Sequence, residues 1–190
     1  MSELDRVLRV EEHLLWSGKP EKFEILDATN RPVFIFRCIL CAVILVAVEL
    51  LYILTAIGSG AGIKWGVAAV LAIACALSPI LFLTRSRKLR KYIYAATDLR
   101  LIIVTDQVKE IVYQRIPRCA FKMDADGHTT LLCGEKAIRS KPGKWRELAF
   151  FGNPGDDGTS PCDKFAFYAV ADPEGLRAAL TGKVPIEELI

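Results

Sequence analysis

Two long stretches of the chain are apolar on every side. Val33 to Ile57 reads VFIFRCILCAVILVAVELLYILTAI, and Trp65 to Thr84 reads WGVAAVLAIACALSPILFLT. A helix rises about 1.5 Å per residue, so roughly 20 residues cross the ~30 Å hydrocarbon core of a bilayer. Both stretches are long enough, and neither has the polar face that a helix on a water-soluble core requires. The short, glycine-rich Ser59-Gly-Ala-Gly-Ile-Lys64 between them predicts a tight antiparallel helical hairpin.

From Tyr92 the pattern changes to short alternating runs, the period of half-buried strands. Strands are expected at 92–97, 99–105, 108–114, 119–123, 129–133, 147–151 and 164–170. Asp124-Ala-Asp-Gly127 supplies a hairpin turn, and 152–161 is dense in turn formers. Asp172-Pro-Glu opens a terminal helix, with Asp as cap, Pro at the first helical position and Glu at the positive dipole end. Leu176 and Leu180 share one face of it, and Gly182 ends it. About seven strands and one helix in about ninety residues predict a small antiparallel barrel closed by a helix. The fold class is thus α+β, a two-helix transmembrane hairpin followed by that barrel. Its expected divisions are an N-terminal segment 1–31, a hairpin with its basic flank at 32–91, a folded domain at 92–182 and a tail at 183–190.

Charge changes the picture by its placement. The net charge is only +3. Residues 1–31 hold five Lys/Arg against seven Asp/Glu, and residues 92–190 hold thirteen against fourteen. Residues 32–91 hold seven Lys/Arg against Glu49 alone, so the whole basic excess sits in and beside the apolar stretches. A nucleic-acid binder carries its positive field on the folded domain, so no nucleic-acid partner is expected. Arg85, Arg87, Lys88, Arg90 and Lys91 instead read as a membrane stop and headgroup clamp. With Arg31 and Arg37 on the other outer flank and only Lys64 in the connector, the positive-inside rule places both termini in the cytoplasm. The 30-residue acidic start does not suit a secretory signal.

Little chemistry is written into the chain. The phosphate-loop, dinucleotide-fold, nucleophile-elbow and HExxH motifs are all missing from it. His13 and His128 stand alone, and no Cys/His spacing suits zinc, so no metal, cofactor or enzymatic activity is expected. Cys38 and Cys41 have redox-motif spacing without its βαβ context, and Cys119, Cys133 and Cys162 are scattered singly; reduced cytoplasmic thiols fit this usage. Asp124 and Asp126 lack the Glu that a calcium loop needs and read as a turn. Glu49 is a carboxylate deep in an apolar stretch, a functional or a helix-pairing group. Ser78-Pro79 predicts a kink. Lys136, Arg139, Lys141, Lys144 and Arg146 form a basic section around Trp145. It is either a second contact with anionic lipid, worth about 1 kcal/mol per cation near the surface, or a solvated loop. Trp16 and Trp145 are interfacial anchors or covers for the barrel end.

Several pieces, in order, resemble bacterial membrane proteins with a pleckstrin-homology-like (PH-like) domain. Glu11-Glu-His-Leu-Leu-Trp-Ser-Gly-Lys-Pro20 is similar to the family's gE-x-x-L-W-x-G-x-P, and two apolar helices follow. Tyr94-x-x-Thr97-x-x-Arg100-Leu-Ile is similar to its Y-x-(L/V)-T-x-x-R, and Asp172-Pro-Glu to its closing helix. The resemblance implies a PH-like barrel with a C-terminal helix, a bacterial inner-membrane location and no established activity. The long section from Glu135 to Asp163 departs from that pattern. The first hairpin offers only Arg100, next to Asp98, so inositol-phosphate binding does not carry over. The expected function is a non-catalytic, membrane-tethered module for scaffolding, self-association or inner-leaflet recognition. Its expected partners are the bilayer, anionic headgroups, and a protein or a second copy. The alternative is a small transporter or channel subunit that uses Glu49.

Overall fold

The computed structural model describes residues 4, 6–60, 65–152 and 161–187. The chain divides into two units: residues 30–85, and a folded unit built from Met1–Thr29 together with Ser86–Ile190.

The first unit contains the apolar helices. Helix α1 spans Arg31–Gly58 and α2 spans Trp65–Leu89, and each is long and apolar enough to cross a membrane. The most apolar windows of both helices have none of their residues buried, the opposite of a core helix in a soluble protein. Pro32 sits in the first turn of α1, where its missing N–H costs no helical bond. Near the end of α1, the Thr55 and Ser59 hydroxyls donate to the carbonyls of Leu51 and Thr55, giving polar groups a partner without water. Phe34 at the start of α1 meets Phe82 near the end of α2 with ring centroids 5.7 Å apart. The Arg37 guanidinium lies 5.3 Å from that same Phe82 ring, so the two helices run antiparallel. Of the connector, 61–64, including Lys64, lie outside the described residues. Helix α2 continues through Pro79 and on to Leu89, beyond the expected end at Thr84. Arg87 and Lys88 are on its last turn, beside carbonyls that favour cations.

In the folded unit, two four-stranded sheets replace the expected closed barrel. The first has the order β1 (Leu14–Gly18), β2 (Ile93–Thr97), β3 (Arg100–Val104), β4 (Val108–Val112), all antiparallel. The second has the order β7 (Phe165–Phe167), β6 (Thr129–Cys133), β5 (Cys119–Met123), β8 (Ile186–Glu187), with β8 parallel to β5. Between β4 and β5 the chain turns through Tyr113–Arg115 and reaches Pro117, which has no N–H to offer a ladder. The opposite seam carries an isolated bridge, Pro20 with Val170.

The N-terminal segment is part of this fold. It supplies β1, and Leu4, Val7 and Leu8 cover Ala95, Ile102 and Val104 on one face of the first sheet. Strands β2 and β3 are therefore buried on both faces, and 93–96 (IYAA) and 101–104 (LIIV) are continuously apolar rather than alternating. Of the expected tail at 183–190, the described residues 183–187 are also built in: Val184 is buried and Ile186–Glu187 pair with β5. The 147–151 segment, expected as a strand, is the end of helix α4 (Trp145–Phe151), preceded by α3 (Glu135–Ile138). Trp145 and Ala149, four apart, both face the core while Glu147 faces water, which is a helical period that the four-residue apolar run 148–151 conceals. Helix α5 (Pro173–Leu180) matches expectation: Asp172 accepts from the Gly175 N–H, and Leu176 and Leu180 are buried.

One core joins the sheets. Tyr94 of β2 stacks on Phe167 of β7, with centroids 4.5 Å apart and planes 5° from parallel, and its hydroxyl donates to the Tyr168 carbonyl at 3.0 Å. Trp16 is buried with its Nε1–H donating to Asp172 at 3.0 Å, and Trp145 is buried with its Nε1–H donating to the Ser140 carbonyl. Both side chains are core residues, so neither is an interfacial anchor.

Candidate functional site: an anchor for the segments flanking the apolar helices

The densest polar construction in the folded unit surrounds residues 21–29, the segment that leads into α1. Phe23 is buried, and two guanidiniums lie over its ring, Arg146 at 4.5 Å and Arg90 at 5.4 Å from the centroid. Arg90 also donates to the Phe23 carbonyl. The chain entering α1 and the chain leaving α2 are thus tied together within the folded unit. Ser86 and Leu89 are buried in it as well.

Arg146 is the centre of this anchor. Only 3% of its side chain is exposed. It donates to the carbonyls of Ile25 and Glu24, both at 2.7 Å, and forms an ion pair with the buried Asp27. Its guanidinium also faces the Tyr168 ring at 5.1 Å. The Tyr168 hydroxyl lies 3.5 Å from Asp27 and 3.4 Å from Asp124. Burial pushes the Tyr168 hydroxyl well above the usual phenol range, so it remains a neutral donor between the carboxylates.

The β5–β6 turn supplies the other half. Gly127 has φ +85°, a conformation glycine adopts without the penalty of a Cβ, and the Asp124 carboxylate accepts from the N–H groups of Asp126 and His128. Asp126, which needed no calcium to explain it, accepts from the N–H groups of Ala28 and Thr29, each at 2.9 Å, and from the Thr29 hydroxyl at 2.7 Å. Burial tends to raise the Asp126 pKa, but these donors outweigh it and hold the group below its ordinary value. His128 lies 3.2 Å from Glu21 and edge-on to Phe23. The Glu21 N–H donates to the Ala169 carbonyl at 2.6 Å.

A second buried arginine holds the earlier part of the N-terminal segment. Arg100 donates through Nε and Nη2 to the two oxygens of Glu12, at 2.8 and 2.7 Å, and from Nη2 to the Val7 carbonyl at 3.1 Å. It also pairs with Glu110 of β4. Thr97 donates to Glu12 at 2.7 Å, and the Arg9 N–H does so at 2.9 Å. The Arg100 hydrogen bond outweighs burial and brings the Glu12 carboxyl down to about 2.

The residues expected at a membrane surface separate into groups. Arg87, Lys88, Arg90 and Lys91 are exposed, and Arg85 is partly so. Of these, Arg90 is committed to Phe23, and Lys88 reaches Asp106 at 3.6 Å. In the later section, Lys136 pairs with Asp163 and Arg139 with Glu135, while Lys141 and Lys144 are exposed. Arg146 is set apart from them, because it is buried and its two terminal nitrogens are bonded to residues 24–27. Glu49 lies on α1, partly exposed.

Sequence reasoning missed Arg146 as an internal anchor, and it missed Asp27, Phe23 and Tyr168 altogether. Among the described residues no group of three or more His, Cys, Asp or Glu is placed to hold a metal ion. No protein-family model, curated protein or solved structure matches this chain.

Proposed function

We propose that this protein is a non-catalytic, membrane-anchored module whose PH-like domain is held at the inner leaflet of a bacterial cytoplasmic membrane, where it scaffolds, self-associates or recognises anionic lipid. The observation that carries this reading is the anchor at Phe23. The two chain segments flanking the apolar helices are fixed to one folded unit through Arg90, Arg146 and Asp126, rather than left as free linkers. Both flanks of the apolar helices end on the same folded unit, so this reading needs no free linker between membrane and domain. Arg87, Lys91, Lys141 and Lys144 are among the exposed cations, and this reading assigns them to anionic lipid. The PH-like part of this reading rests on the sequence motifs at 11–20, 94–102 and 172–174.

The test uses the full chain in nanodiscs. With anionic phosphatidylglycerol in the lipid, hydrogen exchange at residues 140–145 is expected to slow relative to neutral phosphatidylcholine. The protection should disappear at high salt and in the Lys141→Glu/Lys144→Glu variant. Equal exchange in the two lipids removes the lipid-recognition version and leaves protein scaffolding and self-association, read from co-purifying partners and mass in detergent.

A further inference from the structure

Three cysteines far apart in the sequence meet in the second sheet. Cys119 of β5 and Cys133 of β6 are directly opposite each other in the antiparallel ladder. The Gly134 N–H donates to the Arg118 carbonyl at 3.0 Å, and the Asp124 N–H donates to the His128 carbonyl at 3.1 Å. Hydrogen-bonded pairs therefore fall at 118/134 and 124/128 and alternate between them, which makes 119/133 a non-hydrogen-bonded pair. Such pairs bring Cα atoms to about 4.5 Å, within the span of about 4.4–6.8 Å that a disulfide bridges. The two sulfurs lie 2.6 Å apart, both thiols are free, and both residues are fully buried. Cys162 approaches from the segment before β7, with its sulfur 3.8 Å from the Cys133 carbonyl oxygen. It lies outside the ladder, so no register aligns its thiol with a partner.

We propose that Cys119 and Cys133 form a modification site, a latent cross-strand disulfide closed by a two-electron oxidant of the peroxide class. One sulfur attacks the peroxide O–O bond, takes one oxygen as a sulfenic acid and releases the other as water. The facing thiol then displaces that oxygen as a second water and forms the S–S bond. The thiol pair loses two electrons, the peroxide gains them, and both thiol protons leave in the two waters. Burial pushes the Cys133 thiol upward and Cys162 to about 11, so both remain neutral thiols at physiological pH. Such a site is slow to oxidise, because the thiolate is the reactive form, and it suits a structural bond rather than a turnover catalyst. The bond would staple the β5–β6 hairpin, whose turn holds residues 21–29 through Asp126 and His128. This inference is independent of any membrane role.

The experiment treats the folded full chain in detergent with hydrogen peroxide, then alkylates it during unfolding and digests it with trypsin. Each cysteine lies in a different fragment: 119–122, 123–136 and 147–164. The expected result is a covalent link between the first two fragments, with loss of two hydrogens and of thiol labelling at both positions, while labelling of Cys162 is unchanged. Cys162→Ala should leave the link intact and Cys119→Ala should abolish it; the wild-type fragments carry the test even if a variant fails to fold. Full labelling of Cys119 and Cys133 after peroxide, a link from Cys133 to Cys162, or sulfinic acid without a link would each overturn the proposal.

Discussion

Two buried arginines hold the N-terminal segment, and they do it differently. Arg100 faces two carboxylates, Glu12 and Glu110, and receives Glu12 in a two-toothed fork. Arg146 faces one carboxylate, two backbone carbonyls and two aromatic rings, and its Nε has no acceptor. The first is an ion cluster in which each charge depends on the others. The second is an adaptor that recognises the path of a backbone and the face of a ring. Bidentate carboxylate geometry and ring stacking are both properties of guanidinium that lysine lacks. The difference teaches where stability should be lost when each is removed.

The largest effect belongs to Arg100. Replacing it with Ala strands Glu12 in a buried site, and loss of one partner from a buried pair costs about 3–5 kcal/mol. Denaturant unfolding of the folded unit within the full chain should show this, and a loss equal to that for Arg146 would erase the distinction. Next comes acid. The Glu12 carboxyl is depressed from its ordinary value of 4.5 to about 2, so its contribution is fully present above about pH 4.5 and is lost as pH falls toward 2. That interval corresponds to about 3 kcal/mol, and Glu12→Gln should flatten the stability profile across it. A profile with the same slope in that variant would assign the acid sensitivity elsewhere. The smallest effect is Arg146→Lys, which keeps a cation beside the buried Asp27 but loses the fork to the Ile25 and Glu24 carbonyls, at about 2 kcal/mol, the range of hydrogen bonds to a charged group. It should be accompanied by faster hydrogen exchange at residues 24–29 and little change around residues 7–12. Exchange that rises equally in both places would make the two arginines one cooperative cluster.

These clusters also show what the sequence could reveal. The apolar helices were legible because length and composition alone define them. The hairpin at 119–133 and the helix at 173–180 were legible because turn and cap residues mark them locally. Arg100 was visible inside a motif, set aside as too little for phosphate binding, but its burial against Glu12 was not visible. Arg146 was misread because its partner Asp27 lies 119 positions away, and counting charge in a window says nothing about burial. Helix α4 was misread because a four-residue apolar run fits either period. The cysteine cluster could have been found in part. Cys119 and Cys133 lie equally far on either side of the Asp124–His128 turn, so fixing that turn pairs them. Nothing local brings Cys162 to them.

What brings it there is a residue with no side chain. Gly134 has φ +94°, and a Cβ on it would meet the Cys162 carbonyl oxygen at 2.2 Å and the Asp163 backbone at 2.7 Å. The meeting of the third thiol with the other two is therefore encoded by an absence. Of the twenty amino acids, only glycine lets the 162–163 segment close on the end of β6, and a single base change at that codon would reach the sulfur chemistry without touching a cysteine.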